Sequence, residues 1–181
     1  MARFEVPSDR DARDHAWALT GEMGERARDF SRTVYETGRL PLREFEAVRM
    51  RVAQLNGCRL CMAYRTARDH ATRGQGEPIP DEAFYAAVEE WQTTQLLTNR
   101  ERLAVEFAER YTCAPDPLAA DDAFWQRLQS AFTDVEIVEM AMCISAFFTR
   151  GRFAHVMGID DTCEILPPPI ADPVSVDRAA V

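Results

Sequence analysis

Apolar side chains recur along this chain mainly at spacings of three and four residues, and sustained alternation is rare. This periodicity is typical of amphipathic helices and predicts an all-α fold. Prolines, glycines and two capping pairs, Thr98 with Glu101 and Thr133 with Glu136, divide the pattern into segments. The predicted helical segments are 15–20, 22–36, 42–55, 58–72, 81–91, 98–111, 122–132 and 133–157.

The apolar stripes of these segments identify a candidate core. The last segment is apolar nearly all round and predicts a central helix that its neighbours cover. Gly158 is predicted to end it. In the other segments the predicted buried positions are Ala27, Phe30, Val34, Phe45, Val48, Met50, Val52, Ala53, Phe84, Val88, Trp91, Phe124, Leu128 and Phe132.

The length and charge of the chain indicate its domain organisation and disfavour several classes of protein. A chain of 181 residues is expected to form one domain, preceded here by a helical lead over residues 1–32 and followed by a Pro-containing arm over residues 159–181. With 21 basic and 30 acidic residues the net charge is −9, which disfavours nucleic acid and anionic membrane partners. The longest apolar run, 140–148, is too short to cross a bilayer. Residues 1–13 lack a secretory h-region, so we expect a cytoplasmic protein.

One pair of cysteines stands out. Cys58 and Cys61 follow the helix-breaking Asn56-Gly57 and are predicted to lie in the first turn of the next helix, where the helix dipole and the nearby Arg59 favour the thiolate. Such a pair can cycle between dithiol and disulfide. Half of a zinc site, or two buried small side chains, are the alternatives. No second close Cys or His pair accompanies this one, so we predict no metal and no cofactor. The other three cysteines are predicted to be buried or incidental: Cys113, Cys143 and Cys163.

A carboxylate precedes the pair by twelve residues. Glu46 lies on the preceding predicted helix, and a hairpin would bring it near the start of the cysteine helix. Burial there would raise the pKa of Glu46 and let it accept a thiol proton. The alternative is a surface glutamate beside Arg49.

The segment from Glu46 to Cys61, EAVRMRVAQLNGCRLC, resembles the signature of the alkylhydroperoxidase D-like (AhpD-like) and carboxymuconolactone decarboxylase family. That signature is a glutamate, eleven residues, a CxxC pair and a histidine four residues later. The resemblance is specific over 43–70 and looser over 33–158, which it marks as the AhpD-like domain. It implies an all-α helical bundle that assembles as a homotrimer or a trimer-based hexamer.

The resemblance also implies roles for the matching residues. Cys61 would attack a hydroperoxide and become a sulfenic acid, Cys58 would resolve it as a disulfide, and Glu46 would be the base of the proton relay. A dithiol such as a lipoyl group or a thioredoxin-like protein would reduce the pair again.

One position departs from the signature. Arg65 replaces the relay histidine, and a guanidinium can stabilise a thiolate or bind an anion but cannot shuttle a proton. His70 is nine residues after Cys61, about 900° along a continuous helix, which turns it to the opposite face. We expect Tyr64, one turn after Cys61, either to pack against its neighbours or to donate a hydrogen bond.

We therefore predict a thiol-dependent peroxidase or disulfide oxidoreductase with an altered proton relay. Two alternatives stay open. In one, the chain is a lyase or isomerase in which Arg65 binds the carboxylate of a small substrate. In the other, it is a non-catalytic oligomeric member in which Cys58 and Cys61 only pack.

Overall fold

The computed structural model describes residues 1–70, 74 and 76–161. These residues form helices, turns and loops and contain no strand, which confirms the all-α prediction. Most of the predicted arm over residues 159–181 lies outside the described residues, as does Cys163. In chain order the helices are α1 (Ala12–Ala18), α2 (Glu22–Thr37), α3 (Leu42–Asn56), α4 (Arg59–Ala63), α5 (Thr66–Asp69), α6 (Glu82–Ala87), α7 (Asn99–Cys113), α8 (Pro115–Ala119), α9 (Asp122–Ala131) and α10 (Asp134–Val156).

Helix α3 is the centre of the bundle. It packs against both α7 and α10, and its residues Phe45, Val48 and Val52 belong to the main core. Its opposite side, with Ala47 and Met50, packs into a second cluster formed with α6. The five buried positions predicted for this helix are therefore confirmed, because apolar neighbours enclose it on two sides.

Helix α10 is less enclosed than predicted. It packs on α2, α3 and α7, but Val135, Val138 and Met142 near its start are exposed by 57, 62 and 51%. The prediction that neighbours cover this helix all round is thus wrong for one face near its start, whereas Met140 on another face is fully buried. Phe30 of α2, also predicted to be buried, is exposed by 38%, whereas Val34 of that helix does reach the core. None of the helices in the described part of the chain is long and apolar enough to cross a membrane.

Local signals mark the start of α7 and α10 and the end of α3, as the sequence predicts. Both capping boxes form, at Thr98 for α7 and at Thr133 for α10. Gly57 ends α3 with a φ of 67°, a left-handed conformation that glycine adopts without a Cβ clash. This turn places Cys58 directly after α3 and starts the segment that carries the cysteine pair.

The single helix predicted over 58–72 is wrong. Helix α4 stops at Ala63, Tyr64 and Arg65 are extended, and α5 is a separate short helix. The guanidinium of Arg49 explains the break, because it donates to the carbonyl oxygens of Cys61 at 2.6 Å and Tyr64 at 2.7 Å. In a continuous helix those carbonyls would accept from later amides of the same helix.

Candidate redox site

The two cysteines are joined in a disulfide at the start of α4. Cys58 is the N-cap of the helix and Cys61 lies in its first turn, with their Cα atoms 5.2 Å apart. The amide of Cys61 donates to the sulfur of Cys58 at 3.2 Å. The turn at Gly57 and the short helix thus hold both sulfur atoms at bonding distance, as reversible dithiol chemistry requires.

The two sulfur atoms have different surroundings. Cys58 is fully buried in an apolar cluster with Ala16, Ala154 and Ile159. Cys61 is half-buried and borders a cavity of about 320 Å³. A molecule in this cavity therefore meets Cys61 first.

The cavity combines aromatic and apolar walls with basic side chains. Helices α1, α2, α3 and α10 and the segment that follows Cys58 all contribute to it. Among the described residues that line it, none is acidic. Its apolar and aromatic residues are Tyr35, Ala53, Leu60, Tyr64 and Phe147. Its basic residues are Arg13, Arg32, Arg49, His70 and Arg150.

Glu46 is fully buried behind this cavity and is saturated with hydrogen bonds. Its Oε1 accepts from Arg49 Nε at 2.7 Å and from the hydroxyl of Thr66. Its Oε2 accepts from Arg49 Nη2 at 3.0 Å and from the hydroxyl of Tyr85 at 2.6 Å. Among the described residues, Arg49 links Glu46 to Cys61, because its guanidinium also donates to the Cys61 carbonyl oxygen.

The predicted rise in the pKa of Glu46 is wrong. Burial by itself raises the pKa, but the charge of Arg49 and the hydrogen bonds from Arg49, Thr66 and Tyr85 outweigh it and lower the pKa below its usual value. Glu46 is therefore an ionised carboxylate whose acceptor positions are filled. The alternative of a surface glutamate is also wrong, although the proximity to Arg49 that it assumed is present.

Arg65 lies away from the cavity. Its guanidinium donates to Glu82 at 2.9 and 2.7 Å and lies 3.9 Å from the ring centroid of Tyr85. The same guanidinium donates to the carbonyl oxygens of Met62 and Tyr64. The structure therefore does not bring Arg65 to the cavity, where it was expected to stabilise the thiolate or bind substrate.

Tyr64 does line the cavity. Its ring centroid lies 5.7 Å from that of Tyr35, in an edge-on arrangement, and the Arg49 guanidinium is 5.6 Å from it. Burial, with a smaller effect of Asp69, raises the pKa of Tyr64 to about 12. The phenol therefore keeps its proton and is able to donate it in a hydrogen bond.

The placement predicted for His70 is wrong. Because the chain is extended at Tyr64 and Arg65, His70 turns back and lines the same cavity as Cys61. Its ring stacks on Tyr35, with 5.2 Å between the centroids and 13° between the planes. An imidazole is thus present in the cavity although position 65 lacks one.

The remaining partners of the site were not identified from sequence. Arg49 offered a signal, since it follows Glu46 by three residues, the spacing of an ion pair on one helix face. Thr66, Tyr85 and Arg150 reach the site through long-range packing and carry no local motif. No group of three or more His, Cys, Asp or Glu side chains within the described ranges is arranged to hold a metal ion.

A solved structure shares this fold. It is the crystal structure of a protein of unknown function from Agrobacterium tumefaciens, which is provisionally described as the antioxidant defence protein AhpD. The match has a TM-score of 0.61 and 21% sequence identity, and it covers 79% of this chain and 92% of that chain. At this identity the likeness shows the fold, and the fold of the present chain is AhpD-like.

Two bacterial proteins are similar in sequence. The uncharacterized protein YdfG of Bacillus subtilis is 24% identical over 113 residues, which are 62% of this chain and 72% of YdfG. The uncharacterized protein YnjA of Escherichia coli is 28% identical over 112 residues, which are 62% of this chain and 57% of YnjA. No family model matches the chain.

Proposed function

We propose that this chain, whose fold is AhpD-like, is a thiol-dependent peroxidase that reduces hydroperoxides with its Cys58–Cys61 pair. The unequal burial of the two bonded sulfur atoms carries the proposal. Cys61 borders a cavity large enough for a small organic molecule, and Cys58 is sealed behind it. One sulfur is thus accessible for attack, and the other is held beside it to resolve the product.

The reaction starts from the reduced pair. The Cys61 thiolate attacks the terminal oxygen of the hydroperoxide, the O–O bond breaks, and the products are a Cys61 sulfenic acid and an alkoxide that takes up a proton to become an alcohol. The Cys58 thiol then displaces the hydroxyl group, so that an S–S bond forms and water leaves. The pair has lost two electrons and the hydroperoxide has gained them.

The cavity contains the groups that this chemistry needs. His70 and Tyr64 both line it and both are able to give a proton to the leaving alkoxide. The basic side chains of the cavity favour the Cys61 thiolate. In this scheme Glu46 is not the base of the relay, because its acceptor positions are filled; it positions Arg49, which fixes the Cys61 carbonyl oxygen.

A dithiol completes the cycle. A lipoyl group or a thioredoxin-like protein attacks the disulfide at the accessible Cys61 sulfur and releases the Cys58 thiol. The second thiol of the reductant then breaks the mixed disulfide and leaves as the oxidised form. Electrons thus pass from the dithiol to the hydroperoxide, and the pair returns to its starting state.

Thiol counting on reduced protein tests the proposal. One equivalent of cumene hydroperoxide should remove two of the five thiols per chain and yield one equivalent of alcohol. Cys58→Ser should stop at a sulfenic acid on Cys61, which dimedone traps, and Cys61→Ser should not react. Cys113→Ser, which removes an exposed free thiol, is the control and should behave as wild type. An unchanged thiol count in wild type would refute the proposal.

The two alternatives make different predictions for the same variants. The lyase or isomerase hypothesis assigns substrate binding to Arg65, but in the structure Arg65 pairs with Glu82. If Cys58→Ser/Cys61→Ser retained full activity on a small carboxylated lactone, that alternative would replace the peroxidase. A non-catalytic chain would show neither activity.

A further inference from the structure

We infer that the substrate of this cavity is an amphipathic anion: an organic hydroperoxide that carries a carboxylate on an apolar stem. The inference rests on the proposed function, because it names the substrate class of the same site. It starts from a contrast in charge. The whole chain carries a net charge of −9, yet the described residues that line the cavity include four arginines and no acid.

Three of these four arginines already have a carboxylate partner. Arg49 pairs with the buried Glu46. The other two pairs are Arg13 with Asp11 at 3.2 Å and Arg32 with Asp29 at 2.8 Å. These charges are largely compensated.

Arg150 differs from the other three. It donates to the hydroxyl of Ser31 at 3.1 Å, and no carboxylate of the described residues lies within ion-pair distance of it. Burial raises the pKa of the Tyr35 and Tyr64 phenols, and the charge of Arg150 partly opposes that rise in both. Its charge therefore acts inside the cavity, where a substrate carboxylate can complete the pair.

The neighbouring surface limits where that carboxylate fits. A second depression of about 280 Å³ shares Arg32 and Arg150 with the cavity, but Glu25 and Asp29 line it as well. Arg28 is its remaining lining residue, and Arg28 already pairs with Asp14 at 3.7 Å. An anion that extended outward would meet these acids, so the favourable position is on the cavity side of Arg150. The apolar stem then lies on Phe147 and Leu60, with the peroxide at Cys61.

Alkylation of reduced Cys61 tests the charge preference without any peroxidase activity. Iodoacetate and iodoacetamide transfer groups of similar size, but only iodoacetate is anionic. Peptide mass spectrometry measures the rate of each reagent at Cys61. We expect the rate with iodoacetate, divided by the rate with iodoacetamide, to exceed the same ratio for glutathione. In Arg150→Gln this ratio should fall about three- to tenfold. Arg150→Lys should keep most of the preference. Arg26→Gln removes an equal charge from an exposed position of α2 and should change nothing.

Two hydroperoxides then test the substrate class. The 4-carboxy derivative of cumene hydroperoxide should be reduced with a kcat/KM about tenfold above that of its methyl ester, and Arg150→Gln should abolish this difference. Equal kcat/KM values for the two, with an alkylation ratio that Arg150→Gln leaves unchanged, would overturn the inference while the peroxidase stands. No turnover of either hydroperoxide would refute the peroxidase, and the alkylation ratio would still decide the anion preference.

Discussion

Glu46 and Arg49 form an ion pair on one face of α3, with both side chains almost completely buried. Desolvation makes such a pair costly to form, and the loss of one partner leaves a charge buried without compensation. Arg49 also donates to the carbonyl oxygens of Cys61 and Tyr64. The pair therefore links the stability of the core to the shape of the cysteine segment.

Glu46→Gln should lower the free energy of unfolding by about 3 kcal/mol or more, because Arg49 keeps its charge in the core. Urea denaturation at pH 7 measures this change. Glu82→Gln is the matched control, because it breaks the pair of a 76% exposed carboxylate with Arg65 and should cost less than about 1 kcal/mol. Equal losses in the two variants would show that the Glu46 pair is not energetically special.

The same carboxylate should make the fold sensitive to acid. The pKa of Glu46 is lowered in the folded chain, so below about pH 4.5 the unfolded chain binds the proton first and the stabilisation is lost as the pH falls further. Between pH 7 and 3.5, wild type should therefore lose more stability than Glu46→Gln, in which this position does not titrate. Urea midpoints across that range test the difference, and parallel curves would contradict it.

His70→Asn should slow the oxidation of the reduced pair by an alkyl hydroperoxide about ten- to a hundredfold, because the leaving alkoxide loses a proton donor in the cavity. Stopped-flow measurement of disulfide formation gives the rate. When a peroxy acid is the oxidant, the leaving group is a carboxylate, which needs no proton. The loss of rate in His70→Asn should therefore be much smaller with a peroxy acid. His15→Asn, which changes a histidine outside the cavity lining, is the control. An equal loss with both oxidants would assign His70 a structural role only.

At the scale of the helices, the starts and ends that can be predicted from sequence are those set by residues close by in the chain. Capping boxes at Thr98 and Thr133 and the left-handed turn at Gly57 act within a few residues, and the structure has them all. The break at Tyr64 has no proline or glycine to mark it. It depends on Arg49, fifteen residues earlier, whose guanidinium takes the carbonyl oxygens of the next segment. This long-range contact explains why the face of His70 was predicted wrongly.

The crossing of α3 and α10 depends on a glycine. A Cβ at Gly151 would lie 2.6 Å from Nδ2 of Asn56, whose side chain donates to the carbonyl oxygens of Phe147 and Phe148. Asn56 ends α3 two residues before Cys58, so this contact also supports the cysteine pair.

Gly151→Ala should therefore destabilise the fold, although alanine favours a helix by about 0.5–1 kcal/mol over glycine. In the Asn56→Ala background the clash is absent and the same change should be neutral or stabilising. A double-mutant cycle from urea denaturation measures this coupling. Additive effects would show that α3 and α10 adjust freely at this contact.

At the scale of the whole molecule, the signature over residues 46–61 can be recognised from the sequence because it is local. The cavity cannot be predicted in this way. Its lining joins Arg13 and Tyr35, from near the start of the chain, to Phe147 and Arg150 of α10. Residues so distant in sequence share a cavity only through packing, and their side chains show no common pattern. The predicted lead over residues 1–32 thus contributes to the site itself.

The predicted homotrimer or hexamer has a candidate surface. Val135, Val138 and Met142 follow one another at spacings of three and four on α10, and each is more than half exposed. We expect wild type to sediment as a trimer or hexamer of 20.5 kDa chains, and Val138→Asp to dissociate it, because a buried carboxylate without a partner opposes association. Met23→Asp alters a methionine of α2 that is 70% exposed and should leave the mass unchanged. A monomeric wild type would contradict the assembly, and an intact Val138→Asp oligomer would place its interface elsewhere.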